Sequence, residues 1–117
     1  HLVSTVTGTL REDVDHLQAL AACFPGGSIT GAPKKRAMEI IAELEPVARG
    51  LYTGAMGYIG FNGESQFNIP IRTLVKEGET LDYHVGAGIV ADSDPAAEYR
   101  ETLDKAKGIR LAIEQMR

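Results

Sequence analysis

Residues 54–90 read GAMGYIGFNGESQFNIPIRTLVKEGETLDYHVGAGIV, and two turn signals inside this stretch decide the fold class. Asn62-Gly63 separates two runs rich in β-branched and aromatic residues, and Glu77-Gly78 separates the second run from a third. Glycine permits the positive φ that a tight reversal needs. Each signal therefore predicts antiparallel strands joined by a hairpin, not parallel strands joined by a crossover helix. Pro70 interrupts the middle run and has no N–H to give a ladder, which places an edge or a bulge there. Continuous alternation through that strand puts Pro70, Arg72 and Leu74 on one face and Ile69, Ile71, Thr73 and Val75 on the other.

Outside this stretch the punctuation changes to that of helices. Asp92-Ser93-Asp94-Pro95 reads as an N-cap with proline at the first helical position, opening a helix that runs to the end of the sequence with Tyr99, Leu103, Ala106 and Ile113 on one face. Upstream, Pro33 suits a first turn, and Ala37, Met38, Ile40, Ile41 and Leu44 form one apolar face before Pro46 and Gly50 end the helix. Residues 12–23 place Val14, Leu17, Leu20 and Ala21 at helical spacing, closed by Pro25. The β-branched start, Leu2, Val3, Thr5, Val6 and Thr7, predicts a short strand ending at Gly8. Strand, two helices, three strands and a helix make an α+β fold: a mainly antiparallel β-sheet with flanking helices.

Composition narrows the function classes. A chain of 117 residues with 44% hydrophobic and 24% charged content is a single globular domain able to bury a core, not a disordered segment. A net charge of −4 leaves no electrostatic footprint for nucleic acid or an anionic membrane. The single Cys23 excludes an internal disulfide and a cysteine-based zinc cluster, and fits a reducing, cytoplasmic setting. No apolar run reaches the length of a membrane span. The sequence starts at HLVSTVTG with its apolar alternation already under way, and reads as the carboxy-terminal part of something longer.

Residues 24–36, FPGGSITGAPKKR, imitate a phosphate loop. Gly26 and Gly31 have the spacing of GxxxxGK[ST], but Ala32 and Pro33 stand where lysine and a hydroxyl residue are required, so nucleotide binding is excluded. The last helix carries a different pattern. Glu98, Glu101 and Lys105 lie at i, i+3 and i+7 on one stripe. Two glutamates one turn apart suit magnesium, which takes one or two carboxylates plus water and substrate oxygens. Glu101 and Lys105 are equally an i,i+4 surface ion pair, and an acidic first turn complements the helix dipole. Arg72 among apolar neighbours suits a two-pronged carboxylate clamp, or is a solvent-facing charge on an edge strand. In VGAGIV, Gly86 and Gly88 mark either bare amides available to an anion or a tight corner. Tyr52 is either a core residue or a ligand-facing hydroxyl. Cys23 reads as packing, and His1, His16 and His84 show no metal-ligand spacing.

Taken in order, HLVSTVTG, FPGGSITGAPKKRAMEIIAELEP, RGLYTGAMGYIG, IPIRTL, GAGIVADSDP and EYRETLDKA resemble, essentially end to end, the carboxy-terminal part of the chorismate-binding enzymes. That family includes component I of anthranilate synthase and of aminodeoxychorismate synthase, and the isochorismate and salicylate synthases. The loop FPGGSITGAPK is closer to the aminodeoxychorismate branch, since anthranilate synthases more typically carry a variant such as AGTLSGAPK. The resemblance implies amination of chorismate to 4-amino-4-deoxychorismate with Mg2+ as cofactor, ammonia being supplied by a glutamine amidotransferase subunit or fused domain; the alternatives are conversion of chorismate to anthranilate and a chorismate-fold module that binds without catalysis. It implies that Glu98 and Glu101 bind the metal against the ring carboxylate, and that Arg72 and Tyr52 bind the enolpyruvyl carboxylate. Gly86, Ala87 and Gly88 would lie along the substrate, Lys105 beside the same carboxylates, and His1 close to the reacting ring as a catalytic residue. Ser28 is the side chain of the glycine loop expected to touch a substrate carboxylate. The family's upstream half, with a second pair of metal-site glutamates and the acid–base residues, has no counterpart in these 117 residues.

Overall fold

The computed structural model describes residues 2–116. The expected α+β composition is present: the described residues form four helices and four short strands, paired only antiparallel. Helix α1 (His16–Cys23) starts later than apolar spacing suggests because a reciprocal cap fixes its origin. The Gln18 N–H donates to Asp15 Oδ1 and the Asp15 N–H to Gln18 Oε1, each at 2.8 Å. A single helical turn, α2 (Gly27–Thr30), forms inside the glycine loop, where no helix was expected. Helix α3 (Lys34–Leu44) follows, with Pro33 at its cap position, one residue before the first helical residue. Helix α4 (Pro95–Gln115) matches the sequence reading: the Asp94 side chain accepts from the Ala97 N–H and Pro95 occupies the first turn.

The strands form two separate hairpins and not one three-stranded meander. Strands β1 (Met56–Ile59) and β2 (Ser65–Asn68) pair across a loop containing Asn62 and Gly63, and Gly63 takes φ 82°. Strands β3 (Leu74–Glu77) and β4 (Thr80–Tyr83) pair across Gly78-Glu79, with Gly78 at φ 59° as the first central residue of a two-residue turn. The long middle strand expected through IPIRT is interrupted. Pro70 is fully buried there, its carbonyl accepts the Thr53 N–H at 2.8 Å, and Arg72 turns into the left-handed region at φ 49°. The alternation assigned to Ile69–Val75 is therefore corrected. GAGIV likewise runs as an unpaired segment after β4, and residues 2–11 form no strand. Residues 2–11 are exposed and no described segment pairs with them, so β-propensity has no ladder on which to act.

Gly57 shows how tightly the first hairpin is built. It sits opposite Phe67, where a Cβ would overlap the Gln66 carbonyl oxygen and lie 2.6 Å from Phe67 Cδ1 and 2.8 Å from Phe67 Cα. We expect Gly57→Ala to separate β1 from β2, a strain of about 1–3 kcal/mol. Faster amide exchange confined to this hairpin in the full-length protein is the readout; unchanged exchange contradicts the close packing.

The apolar faces are formed but not covered. Among the described residues only Ala106 and Pro70 are buried. Met38, Leu44, Tyr99 and Leu103, all assigned to helix core faces, are exposed. The surface area of 9944 Å² compares with roughly 6200 Å² for a compact protein of this mass. The radius of gyration, 17.1 Å, likewise exceeds the roughly 13 Å of a compact chain of this length. The self-contained core expected from composition is absent among the described residues, and the helix faces leave their apolar stripes exposed.

Candidate functional site

One open cavity of about 870 Å³ gathers segments distant in sequence: α2, the loop after α3, the break at Ile71-Arg72, the segment after β4, and the first three turns of α4. Its size suits a small organic acid. Most of the residues singled out from sequence line it. Ser28 comes from α2, Tyr52 from the loop after α3, and Gly86, Ala87 and Gly88 from the segment after β4. Arg72, Glu98 and Lys105 complete this set. Glu101 is placed differently, in a smaller depression with Asp104 and Ile109 that shares Arg72 and Lys105 with the main cavity. His1 lies outside the described residues.

Tyr52 is held from two sides. Its ring stacks on His84 at a centroid distance of 5.5 Å and an interplanar angle of 13°, and the Arg49 guanidinium lies 5.8 Å from the ring centroid. Arg49 is itself fixed, with Nε donating to Glu45 Oε2 at 2.8 Å and Nη1 to Thr53 Oγ1 at 3.1 Å. The Tyr52 hydroxyl ends against Gly86, where a Cβ would sit 2.9 Å from it. A Cβ at 86 would press on the Tyr52 hydroxyl, so glycine there lets the ring and the segment lie close together. Of the positive-φ residues that are not glycine, Thr53 at φ 60° and Arg72 at φ 49°, both line this cavity, the setting in which backbone strain is commonly stored.

Charge is distributed unevenly. The hydrogen bond from Arg49 holds the Glu45 carboxyl below the ordinary carboxylate range, with slight burial opposing it, and the same bond raises Arg49. A depressed carboxyl stabilises the fold above its unfolded-state pKa, and that contribution is lost as pH falls through the folded-state value. We therefore expect stability to decline on the acid side of the ordinary carboxylate range, with Glu45→Gln removing that part of the slope. The effect is small, at most about 1 kcal/mol for a solvent-screened pair, and acid titration of the thermal midpoints of the full-length parent and variant measures it. Lys105 forms an ion pair with Glu101 Oε1 at 2.6 Å and donates to the Gly86 carbonyl at 3.0 Å, tying α4 to the glycine segment. Arg72 has no ion-pair partner among the described residues.

The two helix glutamates differ. Glu101 is half-exposed and engaged by Lys105, the surface-pair reading that its spacing allowed. Glu98 is half-buried: Oε1 accepts from the Ser93 hydroxyl at 2.6 Å, while Oε2 is buried without a hydrogen-bond partner. An unpartnered carboxylate oxygen in a cavity wall fits a cation. Among the described residues no three His, Cys, Asp or Glu side chains converge.

Residues 1–110 match the family described as chorismate binding enzyme. The chain belongs to this family. Within it, the chain is 54% identical over 115 residues to anthranilate synthase component 1 1 of Haloarcula marismortui and 55% identical over 113 residues to anthranilate synthase component 1 of Streptomyces coelicolor. It is 51% identical over 114 residues to aminodeoxychorismate synthase component 1 of Bacillus subtilis. These alignments take in 97–98% of the chain but 22–24% of each relative, so the chain spans about a quarter of the length of the curated relatives it matches.

Sequence reasoning missed Glu45, Arg49, Thr53, His84 and Ser93 in the cavity wall. A signal existed for Glu45 and Arg49, which stand at i,i+4, and for Ser93, which lies inside the recognised cap. None existed for His84, because its stacking partner Tyr52 is 32 positions away.

Proposed function

We propose that this chain forms part of a chorismate-aminating active site that produces 4-amino-4-deoxychorismate, on the way to 4-aminobenzoate and folate. The supporting observation is the convergence in one cavity of Tyr52, Arg72, the 86–88 segment, Glu98 and Lys105 from separated parts of the chain. Arg72, a cation without an ion-pair partner among the described residues, and the Tyr52 hydroxyl take the enolpyruvyl carboxylate. The amides of Gly86, Ala87 and Gly88 run along the substrate, and Ser28 supports a carboxylate from α2. Glu98 and Glu101 hold Mg2+, Glu101 doing so on release from Lys105, which then turns to the substrate's negative charge. Magnesium, when bound, neutralises the ring carboxylate and so eases departure of an anionic leaving group. In the reaction the C4–O bond breaks, a C–N bond to ammonia forms, and the hydroxyl leaves with a proton as water. The family resemblance assigns a catalytic role to His1, which lies outside the described residues, and ammonia comes from a glutamine amidotransferase partner.

The product choice is supported by the loop FPGGSITGAPK. Anthranilate is the second reading, supported by the anthranilate synthases among the relatives. Incubating the full-length protein with chorismate, ammonia and magnesium, with and without the lyase that forms 4-aminobenzoate, separates them. We expect 4-aminobenzoate only when the lyase is added. Anthranilate fluorescence appearing directly overturns the first reading in favour of the second.

A further inference from the structure

We propose that Ser93 is a positioning residue for Glu98, aligning its carboxylate for the divalent cation. This rests on the magnesium reading above. The side chain of Ser93 works in both directions. Its oxygen accepts the Val90 N–H at 3.0 Å, and its hydroxyl proton goes to Glu98 Oε1 at 2.6 Å, a short charge-assisted bond. The Ser93 N–H donates in turn to the Val90 carbonyl at 3.0 Å, so the backbone of 90–93 is closed into a turn that fixes where the hydroxyl stands.

The consequence falls on the other carboxylate oxygen. With Oε1 committed to Ser93, the carboxylate plane is set and Oε2 is left buried and without a partner. A glutamate free to rotate about its last torsion would turn that oxygen to water, because burying an unpaired carboxylate oxygen is unfavourable. Holding it in place is useful only if something outside the described side chains completes its coordination. Ser93 is separable from the structural cap: Asp94 accepts the Ala97 N–H at the start of α4, whereas Ser93 makes no bond to the helix backbone.

Outer hydrogen-bond partners of metal ligands typically contribute 10–100-fold to affinity. The test uses full-length protein with chorismate present and no nitrogen donor, titrated with Mn2+ as the probe and followed by the electron paramagnetic resonance of the free ion. Ser93→Ala is expected to weaken Mn2+ binding by about tenfold or more, and Ser93→Thr, which keeps the hydroxyl, to restore most of it. In turnover assays the alanine variant should need correspondingly more magnesium for half-maximal rate while its chorismate KM at saturating magnesium stays near that of the parent. Parent-like Mn2+ binding in Ser93→Ala, even with a lowered thermal midpoint, overturns the proposal while leaving the magnesium reading intact. Glu98→Gln distinguishes the two failures: if it too binds Mn2+ like the parent, the metal reading itself is wrong and the role of Ser93 falls with it.

Discussion

Glu98→Gln in the full-length protein is expected to lower magnesium-dependent turnover of chorismate by about a thousandfold, with the residual rate insensitive to magnesium. The substitution is close to isosteric. The amide oxygen still accepts from Ser93, so the 2.6 Å bond and the α4 cap survive, and the loss reports the missing charge and not a rearranged helix. What disappears is the anionic partner for the cation at the buried Oε2. Charge stabilisation by a bound divalent ion amounts to several kcal/mol in a transition state that expels an anion, and about three powers of ten in rate correspond to about 4 kcal/mol. Steady-state rates across a magnesium series provide the measurement. A variant within about tenfold of the parent at every magnesium concentration would show that Glu98 carries no metal-dependent step.

The 117-residue chain studied alone is expected to show no cooperative thermal transition and to form no product from chorismate, ammonia and magnesium. Its exposed surface is about 1.6 times that of a compact protein of its mass, and large side chains such as Leu44, Phe61 and Ile89 are 75%, 114% and 72% exposed. Each hairpin has two strands, too few for independent stability in water. With about 25 cal/mol gained per Å² of apolar burial, a chain that leaves its helix faces open forgoes most of what offsets backbone ordering. Calorimetry with dye binding reads the first part of the prediction and product assay the second. A sharp, reversible, concentration-independent transition would show that these elements close a core on their own, and detectable product that the site needs nothing further.

The parts of the fold that proved legible are those set by nearest neighbours. Asn62-Gly63 and Gly78 produce the expected reversals because positive φ is a property of glycine itself, and Asp94-Pro95 starts α4 because the cap and the ring constraint are local. Where the reading failed, the deciding interaction was long-range or missing. Pro70 was recognised as a break, but its carbonyl accepts the N–H of Thr53, 17 positions before it, and the chain then turns left-handed at Arg72, which no pattern records. The Leu2–Thr7 strand failed because propensity without a partner strand forms no ladder.

The candidate site divides along the same line. The α+β class, the start of α4, the family resemblance and the residue types available to hold an anion and a cation all reside in order and spacing along one chain. Which of those residues meet is a matter of tertiary contacts. These brought Tyr52 to His84 and Gly86, closed Lys105 onto the Gly86 carbonyl, put Glu98 and Glu101 in different depressions, and left one oxygen of Glu98 buried with Ser93 gripping the other. The reason is geometric: spacing on a helix sets a shared face, whereas the depth and partners of each side chain depend on what the rest of the chain packs against that face.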